Sequence, residues 1–340
     1  MQIVTDSLPD ESRLHRVSVV IPVYGGEFTL GSVVEEIARF AEPSVTPDGH
    51  RYQVIETLLV YDNGRDRSDE TIRELADKYP FVRPVWLSRN FGQHPATLAG
   101  MASSSGDWIV TLDEDGQHDP ADMAAFLDTA LRENVQLVYA EATNPPPHSA
   151  FRNLTSKGAK WLFATVLAGG ATASFQSYRL VLGEVGRSVA AYAGSGVYLD
   201  VAMQWVSGEP AVCPVELREE GDRRSGYSLR RLLSHFWRLV LSSGTRGLRL
   251  VSVLGVVFAL AGLGYAAYLV VASTTGDVPQ GWTSTMVVVL FSTGAVLFSL
   301  GIIAEYIGVA VNMAMGKPPY LIVGDPADGP LGSRRPRPRP

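Results

Sequence analysis

The chain has 340 residues, with 29 lysines and arginines against 35 aspartates and glutamates, and the resulting charge of −6 excludes a globally basic nucleic-acid surface. Hydrophobic residues make up 46% and charged residues 19%, which excludes disorder as a description of the whole chain. A single cysteine, Cys213, excludes an internal disulfide framework and a cysteine-built metal site, and fits a reducing compartment.

Residues 1–16 carry Asp6, Asp10, Glu11, Arg13 and Arg16 and no apolar core, so no cleavable signal peptide is expected and the soluble part is expected in the cytoplasm. The apolar run VSVVI (17–21), the loop residues after it, and Val33, Val34, Ile37, Phe40 and Ala41 at helical spacing predict strand, loop and helix. The alternation continues with a strand over Val54 to Tyr61, a helix capped by Ser68 with Ile72, Leu75, Ala76 and Tyr79 on one face, and a strand over Val82 to Leu87. A helix near Ala96 to Ser103 and a strand from Trp108 to Leu112 come next, then a helix with Asp119 as N-cap and Pro120 at its first position. Strands alternating with helices imply an α/β domain with a mostly parallel, doubly wound sheet. In such a sheet the ligand lies beyond the carboxyl ends of the strands, so the loops after Ile21, Tyr61, Leu87 and Leu112 are expected to converge on one site.

Neither G-x-G-x-x-G after the first strand nor G-x-x-x-x-G-K-[ST] anywhere is present, which excludes those two phosphate cradles. The strand ending at Leu112 leads instead into an acidic stretch, DEDGQHDP, residues 113–120. The carboxylates of Asp113 and Asp115 and the amide oxygen of Gln117 suit a hard divalent cation such as Mg²⁺ or Mn²⁺, which shares its shell with water and substrate phosphates. Cys213 is expected to fill core space.

Beyond residue 227 the composition changes. Leu229, Leu232, Leu233, Phe236, Trp237 and Val240 recur at helical spacing opposite Arg231, His235 and Arg238, the pattern of an amphipathic helix at a bilayer surface. Leu250 to Ala272 and Gly281 to Ala304 carry no charge and are each long enough to cross a membrane, joined by a short loop containing Asp277. Arg246 and Arg249 precede the first run, and Lys317, Arg334, Arg335, Arg337 and Arg339 come after the second, so both ends of the hairpin are expected on the cytoplasmic side of the plasma (inner) membrane. The Pro-, Gly- and Arg-rich end of the chain is expected to be disordered.

The strings VSVVIPVYGGE (17–27), VYDNG (60–64), LSRNFGQHPATLAG (87–100), SGDWIVTLDEDGQHDP (105–120) and FRNLTSK (151–157) resemble, in this order, the membrane-bound family 2 glycosyltransferases. RSGYS (224–228), TRGLRLVSVLG (245–255) and AEYIGVAVNM (304–313) resemble the juxtamembrane and hairpin segments of the polyprenyl-phosphate group of that family, so the likeness spans residues 17–323. Within the group the strings are similar to those of dolichol-phosphate mannose synthases, bactoprenol glucosyltransferases and undecaprenyl-phosphate formamidoarabinose transferases.

The resemblance implies a GT-A (Rossmann-like) catalytic domain over 17–227 after an N-terminal extension (1–16), an amphipathic segment over 228–248, a transmembrane hairpin over 249–312 with spans near 250–272 and 282–304, and a cytoplasmic tail over 313–340. It implies an inverting, Mg²⁺- or Mn²⁺-dependent transfer of a sugar from a nucleotide-diphosphate donor to polyprenyl phosphate, serving cell-envelope glycans. Carried over by motif, Pro22, Tyr24, Asp62, Asn63, Arg89, Asn90 and Asp113 would bind the donor, and Asp115 and Gln117 the metal. Arg152, Ser156, Lys157, Arg223, Arg224 and Ser225 would hold the acceptor phosphate. Asp113, Asp115, Arg152 and Arg179 would act in catalysis, and the resemblance leaves a homo-oligomer open. A transferase with another acceptor and a non-catalytic assembly protein are the alternatives. The chain departs from the family's pattern at Gly25-Gly26, at Asp62-Asn63-Gly64-Arg65 with two extra residues before Ser68, at Ala173 and at Gly226.

Overall fold

The computed structural model describes residues 13–144, 176–194, 196–218 and 281–330, with scattered helical positions between 255 and 271. The described residues fall into two compact units, one holding 13–144, 176–194, 196–218 and 318–330 and the other 281–317.

The first unit is built on a nine-stranded sheet. Its strands are β1 (Leu14–Val23), β2 (Ser44–Val45), β3 (Arg51–Tyr61), β4 (Val82–Leu87), β5 (Trp108–Thr111), β6 (Leu137–Ala142), β7 (Arg179–Leu182), β8 (Ala211–Val215) and β9 (Ile322–Val323). The order is β8-β6-β7-β5-β1-β3-β4-β9, with β2 paired beside β3. The central pairs β1–β3, β1–β5 and β3–β4 and the outer pair β6–β8 are parallel. β7 runs antiparallel between β5 and β6, and β9 antiparallel on β4.

Helices cover both faces. α1 (Leu30–Ile37), α2 (Ser68–Lys78) and α4 (Met123–Glu133) pack over one cluster that includes Val19, Ile21, Val34, Leu59, Ile72 and Phe126. α3 (Gln93–Ser103), α5 (Gly183–Tyr192) and α6 (Leu199–Gln204) pack over a second that includes Val20, Leu58, Val60, Leu98 and Val189. Successive residues of a strand point to opposite faces, so Val19 and Val20 enter different clusters. That is why β1 over 19–23 and β3 over 58–61 read in the sequence as apolar runs rather than as alternation.

The expected mostly parallel α/β sheet is present, with three differences. Ser68 is the first residue of α2 rather than its cap, because the carboxylate of the inserted Asp66 accepts the Ser68 N–H at 3.2 Å. Leu112 lies beyond β5. Residues 318–330 of the expected tail (313–340) fall in the first unit, where Ile322–Val323 form β9. Asp119 caps the turn that opens α4 as expected, its Oδ1 accepting the Ala121 N–H at 2.9 Å with Pro120 in first position.

In the second unit, α7 (Trp282–Ala314) has 33 residues, and an 18-residue window within its stretch Phe291–Ala314 reaches a mean hydropathy of 2.0. Among the described residues it is the one helix long and apolar enough to cross a membrane. The helix covers the expected span 282–304 and continues through Glu305 for about three further turns. The amphipathic segment 228–248, most of the expected span 250–272 and the last ten residues lie outside the described residues.

Close helix-to-sheet approach depends on Gly100. A Cβ there would stand 2.3 Å from Val20 Cγ1 and 3.0 Å from Val60 Cγ2, both on rigid β-branched side chains of the sheet. Gly100→Ala is expected to destabilise the catalytic unit by about 1–3 kcal/mol through overpacking, despite alanine's higher helix propensity. Urea unfolding followed by intrinsic fluorescence measures it, and a gain in stability would contradict the packing.

Candidate active site

The first loop, after β1, is held by an acid from the turn after β5. Glu114 accepts the Tyr24 N–H at Oε2 and the Gly25 N–H at Oε1, each at 2.9 Å. A Cβ on Gly26 would lie 2.9 Å from the same Oε2, so the glycine at 26 gives room to this carboxylate. The second loop, after β3, packs as tightly: a Cβ on Gly64 would be 2.1 Å from the Tyr24 carbonyl oxygen. The insertion before Ser68 supplies Asp66, which accepts the Glu27 N–H (3.1 Å) and the Ser68 hydroxyl (2.5 Å), while Ser68 Oγ accepts the Gly26 N–H (2.9 Å).

Asp62 is buried, and its two oxygens accept the N–H groups of Phe91 (2.7 Å) and Gly92 (2.8 Å). Burial raises its pKa, and those two bonds with nearby Arg89 oppose the rise. Asn63, at φ 52°, donates from Nδ2 to the Leu87 carbonyl at 2.7 Å. Both residues therefore brace the loop between β4 and α3 by their side chains. Arg89 and Asn90 stand exposed on that loop, the Arg89 guanidinium 4.1 Å from the centre of the Phe91 ring and donating to the Asn90 carbonyl at 3.2 Å. Pro22 sits within β1 opposite Val60, and Tyr24 is 42% exposed at the mouth of the first loop.

In the acidic turn, Asp113 accepts Gln93 Nε2 at Oδ1 (2.7 Å) and Ser177 Oγ at Oδ2 (2.6 Å). Its N–H donates to His118 Nδ1 at 3.1 Å, which makes that nitrogen an acceptor. His118 is buried against Tyr178, ring centres 4.7 Å apart, and burial lowers its pKa against the opposing pull of Asp113 and Asp115. Asp115 Oδ1 accepts the Gln117 N–H at 3.0 Å, Gly116 turns the chain at φ +77°, and the Gln117 carbonyl accepts the Arg218 N–H at 3.0 Å. The described residues contain no cluster of three His, Cys, Asp or Glu side chains arranged around a common point. The donors here are two carboxylates and one amide on a single turn, all oxygen, which fits a hard divalent cation whose remaining positions are filled by water and phosphate.

Arg179, expected to act in catalysis, is only 2% exposed and lies behind the turn. It forms a buried ion pair with Asp200, which also accepts the Tyr139 hydroxyl at 2.9 Å. Arg179 Nε donates to Thr111 Oγ1 (3.1 Å), and Thr111 Oγ1 donates to the Ser177 carbonyl (2.5 Å). Arg179 is thus linked through Thr111 to the Ser177 carbonyl, and the Ser177 hydroxyl in turn donates to Asp113. Arg152, Ser156, Lys157, Arg223, Arg224 and Ser225 lie outside the described residues, as do Ala173 and Gly226. Sequence reasoning missed Gln93, Glu114, Ser177 and Arg218. Gln93 and Glu114 stand inside the strings 87–100 and 105–120, whereas Ser177 is 64 residues from its partner Asp113 and has no local signal.

Residues 18–180 match the model of Glycosyl transferase family 2, and residues 247–310 that of the GtrB C-terminal hairpin. The chain carries a family 2 glycosyl transferase domain. It is 29% identical over 318 residues to the undecaprenyl-phosphate 4-deoxy-4-formamido-L-arabinose transferase of Pseudomonas aeruginosa strain LESB58, covering 90% of this chain and 89% of that one. It is 25% identical over 311 residues to the bactoprenol glucosyl transferase of Shigella phage SfII, covering 90% and 97%. Among solved structures, glucosyl-3-phosphoglycerate synthase from Mycobacterium tuberculosis, in complex with Mn²⁺, UDP and glucosyl-3-phosphoglycerate, is 21% identical with a TM-score of 0.48, covering 68% of this chain and 80% of that one.

In this transferase domain a second acid pair lies just past the acidic turn. Burial, and then Asp119, push the Asp122 carboxyl from 3.8 up to about 6, while Arg218, which bridges Asp119 at 2.7 Å and Glu36 at 2.8 Å, opposes the rise. A carboxyl whose folded pKa exceeds its unfolded one favours the fold when protonated. Its contribution is present below pH 3.8 and is lost as the pH rises through about 6. Asp122→Asn is therefore expected to raise the melting temperature relative to wild type at pH 8 and to leave it nearly unchanged at pH 4. Scanning fluorimetry at the two pH values checks this, and an equal shift at both would contradict it.

Proposed function

We propose that the chain is an inverting transferase that moves a sugar from a nucleotide-diphosphate donor to the phosphate of a polyprenyl lipid, for cell-envelope glycans. The observation that carries the reading is likeness across 90% of the chain to two relatives named for different sugars and each named for a polyprenyl carrier. The acidic turn supports it from the chemical side. Asp115 and Gln117, with Asp113, would hold Mg²⁺ or Mn²⁺; when bound, the cation offsets the charge that develops on the departing nucleotide diphosphate.

The chain's own residues then set position and environment. Tyr24 on the first loop and Arg89 and Asn90 on the braced loop 88–92 are proposed to contact the donor. The acceptor oxygen is already anionic at neutral pH, so it attacks the anomeric carbon as the bond to the diphosphate breaks, and no strong general base is required. Arg152, Ser156 and Lys157, with Arg223, Arg224 and Ser225, are the cationic and hydroxyl groups proposed to hold the lipid phosphate.

The proposed organisation is a cytoplasmic catalytic domain (17–227), an interfacial segment (228–248) and a two-span hairpin (249–312), with both termini cytoplasmic. The hairpin-family match and the apolar stretch of α7 support it.

Detergent-purified protein, undecaprenyl phosphate, Mn²⁺ and a panel of nucleotide sugars test the reading, with mass spectrometry of the lipid fraction as readout. One lipid-linked sugar is expected, with its rate reduced about 10²-fold or more in Asp115→Ala. Transfer only to a soluble acceptor, or equal rates in the variant, would contradict it.

A further inference from the structure

The residues after α7 do more than end the chain. β9 lies antiparallel on β4, pairing Trp86 with Val323 and Leu87 with Ile322. Without it, β4 would be an open edge with unpaired backbone groups. The pairing runs one residue further, since the Ser88 N–H donates to the Leu321 carbonyl at 3.0 Å. Ser88 opens the loop whose Phe91 and Gly92 N–H groups are bound by Asp62, and whose preceding carbonyl, Leu87, is bound by Asn63.

A second contact fixes the same segment. Arg73, on α2, donates from Nε and Nη2 to the two oxygens of Asp325, at 2.7 and 2.8 Å. This planar, two-bond geometry is the strong form of an arginine–carboxylate pair. The guanidinium also lies 4.9 Å from the centre of the Trp86 ring, and Nη1 reaches Asp69 at 3.0 Å. Tyr320 packs against the apolar cluster under α3. Residues 320–325 are thus pinned at three points, to β4, to Arg73 on α2 and to the cluster under α3, around the strand that delivers the loop 88–92.

We infer that the segment 320–325 is a positioning element for the donor site, setting the start of loop 88–92 from the side opposite Asp62 and Asn63. The loop is gripped from both sides: β3 and its following residues hold one edge, and the returning C-terminal segment holds the other. The inference rests on the proposed function, in which this loop meets the nucleotide sugar through Arg89 and Asn90. Asp325 touches no substrate and acts through Arg73 and β9.

The test compares full-length wild type with Asp325→Ala and Asp325→Glu. Asp325→Ala is expected to raise the KM for the nucleotide sugar about fivefold to tenfold, with kcat and the polyprenyl-phosphate KM within about twofold. Amide hydrogen exchange at Ser88, Phe91 and Gly92 is expected to quicken in the same variant. Asp325→Glu, which keeps the carboxylate, is expected to recover most of both effects. Unchanged exchange would overturn the inference, as would faster exchange with an unchanged donor KM, because the segment would then be structural only. A global loss of folding in Asp325→Ala is recognised by its melting curve, and the glutamate variant then carries the comparison. If wild type transfers no sugar to polyprenyl phosphate, the functional reading fails, and the exchange rates with the affinity for UDP and Mn²⁺ by calorimetry still decide whether the segment sets the loop.

Discussion

One carboxylate holds the site together. Glu114 receives the N–H groups of Tyr24 and Gly25 and thereby ties the turn after β5 to the loop after β1. Hydrogen bonds to an ionised acceptor are shorter and stronger than neutral ones, so this contact resists the opening of either loop. Much of the local sequence answers to it. Gly26 lacks a Cβ because Glu114 Oε2 would be 2.9 Å away, and Gly64 lacks one because the Tyr24 carbonyl lies in its place. Asp66 and Ser68 then secure the far side of the same loop. Gly26, the second glycine of the pair that departs from the family's pattern, is thus a steric requirement of this arrangement.

Behind the turn lies the Arg179–Asp200 pair. Taking two charges out of water costs several kcal/mol, and a buried pair is often no better than apolar residues for net stability. Its consequence here is orientation. Arg179 fixes Thr111, Thr111 fixes the Ser177 carbonyl, and Ser177 with Gln93 fixes both oxygens of Asp113. Tyr139 adds a hydroxyl donor to Asp200. A cation or a diphosphate bound here as proposed would therefore meet a carboxylate, Asp113, whose direction is already set, the form of preorganisation that transfer of a charged leaving group needs.

The central strands and helices were legible in the sequence because parallel strands buried on both faces give unbroken apolar runs, and because caps such as Asp119-Pro120 are local. The placement of Asp113, Asp115 and Gln117 beyond β5 was legible for the same reason. β7 and β8 were not, since β7 is four residues long and is defined by partners far along the chain. Nor was β9, two residues whose identity as a strand depends wholly on β4. Arg179 illustrates the limit most clearly. A motif places an arginine near a site, but only tertiary structure tells whether its charge faces a substrate or a buried aspartate. Asp62 likewise bears on the loop 88–92 through backbone N–H groups that no residue pattern announces.

Through Glu114 the cation turn and the first loop form a single unit. Calorimetry tests this most directly, by measuring the affinity for the nucleoside diphosphate of the donor with and without Mn²⁺, in wild type and in Glu114→Ala. Coupling between two ligands is reciprocal, so a shared unit shows itself as metal-enhanced nucleotide binding. Wild type should bind the nucleotide more tightly when Mn²⁺ is present, and Glu114→Ala should still bind Mn²⁺ while losing most of that enhancement. An enhancement of the same size in both proteins would contradict the role given to Glu114.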